Sequence, residues 1–405
     1  MTQVSPGRVT LRLYDSRRGG VFPIEGTGSG PLGVYACGIT PYAATHVGHA
    51  FTYLAVDVLI RALRVTGRAV RYVQNLTDVD DDMLRHAREE GEGWQELADR
   101  NAERFMADMT ALNWSPPDVY PAASAHVRQV VAMVATLLRR GEAYRAGGHV
   151  YAAFGADPTF GDLGRVPVDE RLAIAGDRGN DPDLPGKRHP LDPVLWQPSA
   201  PDEPSWPSPW GPGRPGWHIE CSAMSMAYLG PKIAIHAGGA DLAFPHHDAE
   251  RMQSEAATGQ RPFVGHWMHT GMVEYTGTKM SKSLGNLVFV GDLLAQWPAD
   301  VVRLALVSHH YRSTLAWSDA LLIDAAARAS RWSVAAAQAE KVGDVAPAVA
   351  AGSECFWAAM ADDLDTPAAA VALDDLAALT PAPGASSTLR ELATRVVGLR
   401  LAGAP

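Results

Sequence analysis

Three residues of the types that bind a soft divalent metal lie far apart in this 405-residue chain: Cys37, Cys221 and His246. Thiolate and imidazole are the donors Zn²⁺ prefers, and two sulfurs plus one nitrogen leave a fourth tetrahedral position. Pro245 suits the first turn of a helix, which would put His246 and Glu250 on one face at i, i+4. Glu250 then reads either as the fourth ligand or as the partner that orients His246. Without a CxxC pair, the same spacing also fits two buried cysteines acting as small hydrophobes.

Two further stretches carry phosphate chemistry. In CGITPYAATHVGHA, Cys37 and Thr40 are followed by His46 and His49 at the start of an amphipathic pattern. Imidazoles at a helix N-terminus can donate to a phosphate that the helix dipole and free N–H groups also favour. A bare HxxH pair is more commonly made of turn and cap residues. In GTKMSKSLGN, Lys279 and Lys282 sit on a glycine-bounded loop. Such a loop can close ammonium groups onto departing pyrophosphate, or it can be a solvated turn.

These groups need elements to hold them. The apolar run LGVYACG reads as a buried strand, and Tyr53, Leu54, Val58, Leu59 and Leu63 recur at helical spacing over 50–66. AVRYVQNLTD alternates like a second strand, and a charged helical pattern follows over 80–109. Strand, helix, strand, helix opens a parallel α/β sheet, in which ligands bind at the carboxyl ends of strands, where Cys37 and Thr77 would lie. A helix is expected over 122–140, then a proline-dense block, PSAPDEPSWPSPWGPGRPGW, that excludes helix and central strand. This block reads as an insertion, after which KIAIHAGGADLAF and GHWMHTGMVEY restore the α/β pattern. From Ser330 the chain is Ala/Leu-rich and helical, with five Lys or Arg against nine Asp or Glu, a poor surface for RNA.

Composition is that of a globular chain, 47% hydrophobic and 20% charged. Apolar stretches are broken well before membrane-spanning length. The N-terminus lacks the order of a signal peptide, and three cysteines suit a reducing compartment, so a cytoplasmic location is expected. The formal net charge of −10 argues against non-specific nucleic-acid binding.

Taken together, the stretches resemble one family. HVGH resembles the HIGH signature, and KMSKS is the second signature, of class I aminoacyl-tRNA synthetases. CGITPY, NLTDVDD, EPSWPSPWGPGRPGWHIECSAM and DLAFPHH resemble the cysteinyl branch, and the likeness runs from about Leu11 to beyond Trp317. DRGNDPDLPGKRHPLDPVLW is similar to the ERGGDP region of the mycothiol cysteine ligases, which join cysteine to the amine of glucosaminyl-inositol without tRNA. That resemblance implies a Rossmann-like parallel-sheet catalytic domain with an insertion and a C-terminal helical bundle. Its halves would occupy 1–115 and 211–275 around an insertion at 116–210. A KMSKS and stem-contact region would follow at 276–330, then a bundle at 331–405 with no anticodon-binding domain.

The same resemblance implies an ATP-dependent ligase that forms cysteinyl-adenylate with ATP and Mg²⁺, bearing one Zn²⁺ per chain on Cys37, Cys221 and His246. His46, His49, Lys279 and Lys282 would be catalytic. The adenylate pocket would comprise Cys37, Gly38, Ile39, Thr40, Thr52, Asn75, Leu76, Thr77, Trp217, Gly239, Ala240, Asp241 and Val273. L-cysteine, ATP and glucosaminyl-inositol would be the partners, with tRNA and membranes not expected. The alternatives implied are a cysteinyl-tRNA synthetase, or a paralogue loading cysteine onto another small amine. The chain departs from its relatives at Ala43, where Asp is usual, and at Ala237 and Ala240, where Gly and Ser are common. His236 and Glu250 look more like the tRNA synthetases. Cys355 is expected to be a packing residue.

Overall fold

The computed structural model describes residues 9–26, 28–275, 277–280 and 285–401. Four strands, β1 (Leu32–Ala36), β2 (Val70–Gln74), β3 (Ile233–Gly239) and β4 (Val264–Thr270), form one parallel sheet in the order β4-β3-β1-β2. Every residue of β1 is buried, as a strand covered on both faces requires. The chain runs from β1 outward to β2 and then returns to place β3 on the other side of β1. The carboxyl ends of β1 and β3 therefore flank a topological switch point, where a crevice opens in such sheets.

Helix α1 (Val47–Val65) follows β1 and buries Val47, Phe51, Leu54 and Val58 among other apolar residues at helical spacing. Helices α2 (Trp217–Leu229) and α3 (Asp248–Thr258) precede β3 and β4 respectively. The segment between β2 and β3 forms its own antiparallel sheet from Ala143–Ala146, His149–Ala152, Val194–Gln197 and Arg214–Pro215. The proline-dense block contributes only that last two-residue edge strand, because proline has no N–H for a ladder. Helices Asp319–Ala337, Pro347–Ala361, Thr366–Ala378 and Ala385–Leu392 make up the C-terminal bundle.

Some elements differ from the sequence reading. The charged segment 80–109 is two helices, Asp81–Glu90 and Trp94–Ala111, because Gly91 turns left-handed at φ 68° and ends the first. Over 122–140 the regular helix is Val127–Arg140, after a short 3₁₀ turn. Cys355 is exposed rather than packed, since its helix turns Val349, Phe356 and Met360 inward instead. Among the described residues no helix is long and apolar enough to cross a membrane.

The N-terminal helix of the sheet domain and the end of the chain meet at a buried charge. Arg303 is fully buried and bonds Asp57 of α1, the Leu112 carbonyl at 2.9 Å and the Val397 carbonyl at 2.7 Å. Asp57 also takes Arg61 at 2.8 Å and the Ser115 N–H at 2.9 Å. Removing one partner of such a pair leaves the other charge in a medium that cannot solvate it. Arg303→Met is expected to lower the unfolding free energy by about 3 kcal/mol, measured by urea denaturation. A loss below about 1 kcal/mol would mean the charge carries no structural weight.

Candidate functional site

The switch point gathers the predicted residues from both halves of the chain. Cys37 and Gly38 continue directly from β1, and a Cβ on Gly38 would lie 1.4 Å from the Asn75 carbonyl oxygen, so only glycine fits. This close approach lets the Gly38 N–H bond Asn75 Oδ1 at 2.9 Å and the Thr77 N–H bond the Ile39 carbonyl at 3.0 Å. Asn75 Nδ2 in turn donates to Thr77 Oγ1 at 3.0 Å. Leu76 is buried between them. Thr40 donates to Asp80 at 2.9 Å, while Asp80 caps the next helix at the Met83 N–H. Burial pushes the Asp80 carboxyl up to about 7. Thr52 on α1 pairs with Thr270 at the end of β4 at 2.8 Å.

The metal-type residues converge from four elements. One ligand atom each from Cys37, Cys221, His246 and Glu250 lies within 4.8 Å of the others, and all four residues are buried. Cys221 projects from α2 and Glu250 from α3. The segment before α3 is not the regular first turn expected: Phe244 is extended, the Phe244–Pro245 bond is cis, and regular helix starts at Asp248. His246 Nε2 nevertheless reaches Glu250 Oε1 at 3.2 Å, and Cys37 Sγ donates to the same oxygen at 3.4 Å. The other oxygen, Oε2, meets His236 Nε2 of β3 at 3.0 Å.

The four groups are electrostatically coupled: against burial, Glu250 and Cys221 raise the His246 pKa to about 10. Burial raises the Glu250 pKa, but His236 and His246 outweigh it and bring the group down to about 2. The hydrogen bond from Cys37 pulls the Cys221 thiol down to about 6, against burial, while burial and that same neighbour push Cys37 up. Burial holds His218 and His247 well below the usual imidazole range and His269 down to about 3.

The sequence reading missed most of this histidine array. His218 Nδ1 lies 2.9 Å from His246 Nδ1, and Trp217, half-buried, places its ring 4.3 Å from that of His246. His247 bonds His269 at 2.8 Å, which bonds Ser16 at 2.7 Å. A second buried quartet, Cys37, His236, His247 and Glu250, shares two residues with the first. The signal in the sequence was that His236 stands in an otherwise apolar strand and that β4 carries two histidines, His266 and His269.

At the phosphate side, His46 caps α1 with extended backbone, and its ring stacks on His49 at 3.7 Å. Nδ1 of each is buried without a partner among the described residues, and the first turn holds no acidic side chain. Burial lowers the His46 pKa to about 4 and holds that of His49 well below the usual imidazole range. Val47 N–H bonds the Val288 carbonyl at 2.9 Å and Val290 N–H bonds the Thr45 carbonyl at 2.9 Å, so the chain just past KMSKS is tied to HVGH. On the other flank, Met280 N–H bonds the carbonyl of Val273, which is buried. Lys282 and the side chain of Lys279 lie outside the described residues. Gly239 ends β3, and Ala240 and Asp241 turn away from it, Asp241 pairing with Arg178 of the segment between β2 and β3 at 3.1 Å. Ala43 is half-buried in the turn before α1, Ala237 is buried within β3, and Ala240 is exposed.

A parallel sheet whose switch point carries HVGH on one side and a thiol–imidazole set on the other defines a class I synthetase catalytic domain. Residues 24–327 match the family model described as tRNA synthetases class I (C) catalytic domain, and the chain belongs to that family. Its curated relatives include the L-cysteine:1D-myo-inositol 2-amino-2-deoxy-alpha-D-glucopyranoside ligase of Thermomonospora curvata, 45% identical over 96% of this chain and 94% of that protein. The ligase of the same name from Nakamurella multipartita is 46% identical over 96% and 95%. Among solved structures, the methionyl-tRNA synthetase of Mycobacterium tuberculosis in complex with methionyl-adenylate covers 90% of this chain and 83% of its own, at 17% identity and a TM-score of 0.62. That likeness is one of fold.

A histidine that protonates at about 4 when folded and at 6.5 otherwise binds fewer protons in the native state. His46 therefore lowers stability as pH falls from about 6.5 to about 4. His46→Gln is expected to lose less stability than the wild type across that window, by urea unfolding at pH 7 and pH 4.5. Parallel losses would show that the ring is not desolvated.

Proposed function

We propose that this protein activates L-cysteine with ATP and transfers it to the amine of glucosaminyl-inositol, releasing AMP and pyrophosphate. The observation that carries the proposal is the convergence of Cys37, Cys221, His246 and Glu250 into one buried cluster at the end of β1, on the strand-to-helix segment that leads into HVGH. It is supported by relatives of 45–46% identity that bear that activity in their names over nearly the whole chain. In the first step a cysteine carboxylate oxygen attacks the α-phosphorus of ATP in line, and the bond to pyrophosphate breaks. Neutral His46 and His49 donate hydrogen bonds to the phosphates, with Lys279 and Lys282 assigned to the departing pyrophosphate, and Mg²⁺ accompanies ATP. In the second step the amine nitrogen attacks the carbonyl carbon of cysteinyl-adenylate. AMP leaves, the nitrogen loses a proton, and an amide remains.

The donor set offers the atoms Zn²⁺ binds: a thiol poised to ionise near neutrality, an ionised carboxylate, and the His246 imidazole, whose pKa, against burial, Glu250 and Cys221 raise to about 10, so that binding the ion would displace its proton. Cys37, Cys221 and His246 would hold the ion, with Glu250 as the fourth ligand. When bound, Zn²⁺ supplies a soft cation that favours a substrate thiol over a hydroxyl. Shape alone separates such near-isosteres by only about 10–200-fold. The chain's own residues supply the rest. The Gly38 and Thr77 backbone mesh shapes the adenylate pocket, and Trp217 closes it against His246. Its remaining members are Ile39, Thr40, Thr52, Asn75, Leu76, Gly239, Ala240, Asp241 and Val273. The division into two catalytic halves, insertion, KMSKS region and helical bundle belongs to the same reading.

Purified protein is expected to catalyse cysteine-dependent ATP–pyrophosphate exchange and to form the amide with glucosaminyl-inositol while leaving tRNA uncharged. Charging of tRNA without amide formation would overturn the proposal in favour of a cysteinyl-tRNA synthetase. Cys221→Ala is expected to hold at least about tenfold less zinc than wild type by atomic emission, and to lose exchange. Unchanged zinc content would remove the metal from the reading.

A further inference from the structure

His246 and His247 are neighbours in the chain and repeat one arrangement. Nδ1 of His246 lies 2.9 Å from Nδ1 of His218, and its Nε2 faces Glu250 Oε1 at 3.2 Å. Nδ1 of His247 lies 2.8 Å from Nε2 of His269, whose Nδ1 meets Ser16 at 2.7 Å, and Nε2 of His247 faces the same Glu250 oxygen at 3.9 Å. An outer partner on one ring nitrogen, with the other nitrogen turned inward, is how metal-ligating histidines are held. The two rings differ in what the inner nitrogen meets. A separation of 3.9 Å is beyond a hydrogen bond, and His247 Nε2 is buried with no hydrogen-bond partner among the described residues. A buried polar atom left so costs free energy, whereas two bonds of about 2.0–2.1 Å through one metal ion span that distance.

The rest of a ligand set surrounds that nitrogen. One ligand atom each from Cys37, His236, His247 and Glu250 lies within 4.8 Å of the others, and all four residues are buried. His236 Nε2 stands 3.0 Å from the other carboxylate oxygen, Oε2. The Trp267 ring backs both imidazoles, its centroid 4.7 Å from that of His236 and 5.4 Å from that of His247. A Cβ on Gly238 of β3 would fall 2.8 Å from His247 Cε1, so glycine makes room for the ring. Cys37 and Glu250 also belong to the set of Cys221 and His246, and sharing them does not make the sets exclusive. A carboxylate can give one oxygen to each of two ions, as in sites that hold two metals about 3.5–4 Å apart. One divalent ion against two thiolates and the Glu250 carboxylate leaves the buried cluster negative, and a substrate thiolate adds to that. Imidazoles bring no charge, so a second cation held by them moves the cluster toward neutrality.

We infer that Cys37, His236, His247 and Glu250 form a second site for a divalent metal of the zinc type, with Cys37 and Glu250 bridging it to the ion assigned to Cys221 and His246. The inference rests on the proposed function for that first ion. The second set carries one thiolate rather than two and lies beside a cation, so it binds more weakly and fills only at added metal. Four protein donors close a tetrahedral site. This ion therefore fixes Cys37 and Glu250 in place and does not take the substrate thiol.

The test adds Co²⁺ to the full-length protein as purified, with zinc counted by atomic emission before and after. The wild type is expected to take up one further equivalent of Co²⁺ while keeping its zinc, and to show the thiolate-to-cobalt absorption band that Cys37 would give. His247→Gln is expected to weaken that uptake at least about tenfold and to keep the zinc. His269→Leu removes only the outer partner of His247; it should act the same way, and it carries the test if His247→Gln does not fold. His218→Leu, which removes the outer partner of His246, should do the reverse, weakening zinc retention and sparing Co²⁺ uptake. Uptake unchanged in both His247→Gln and His269→Leu would place the ion elsewhere and overturn the inference. So would uptake without the thiolate band, or Co²⁺ that enters only as zinc leaves, mole for mole. If the wild type carries no zinc and binds one Co²⁺ that His247→Gln abolishes and Cys221→Ala spares, the first-ion assignment fails and this set holds the metal alone. If Cys221→Ala abolishes that binding and His247→Gln spares it, the inference falls and the zinc assignment stands.

Discussion

A carboxylate sealed from water, Glu250, governs the architecture of this protein. Its two oxygens meet Cys37 and His246 on one side and His236 on the other, and it retains its charge at about 2 only because those partners are in place. The partners come from the end of β1, the segment before α3 and the middle of β3. The sheet order, the close passage of Gly38 over Asn75 and the irregular backbone at Phe244 all serve that convergence. Histidines packed around the carboxylate, joined by the pairs His218–His246 and His247–His269 and by His269 to Ser16, extend a polar island through an otherwise apolar core.

The end of the parallel sheet sets opposite electrostatic requirements side by side. HVGH offers neutral rings and an N-terminal helix turn free of acidic side chains, which suits a polyanion. The Cys37–Cys221–His246–Glu250 cluster offers an ionised carboxylate and, at Cys221, a thiol lowered to about 6. Asp241 stands between them, and the segment between β2 and β3 supplies its counter-charge from outside the sheet. That segment, which grips Asp248, Arg251 and Asp241, is thus part of the frame around the cluster. The fully buried Arg303 does a similar job for α1, reaching the C-terminal segment at Val397.

Much of the fold was legible because local pattern and burial agree. LGVYA reads as a buried strand and is one; the apolar period after HVGH reads as a helix and is one, beginning at Val47. Glycines explain two departures: Gly91 splits a charged pattern into two helices, and Gly38 marks a backbone approach no periodicity reveals. The sequence reading placed Pro245 in a first helical turn, whereas the regular helix starts at Asp248. Packing against neighbouring elements decided that geometry, and His246 still reaches Glu250. Cys355 was read as a core residue from its type, yet helix phase turns it to solvent.

The amino-acid sequence by itself determined the donor types, the anion-favouring turn after the first strand and the alternation that makes a parallel sheet. These depend on neighbours within a few residues, where spacing and chemistry suffice. Only the tertiary structure decided that His236 and His247 meet Glu250, that His269 joins them through His247, and that Arg178 reaches Asp241. Those meetings join positions up to 63 residues apart through strand order and the return of the segment between β2 and β3, and a buried charge selects its partners by distance in space.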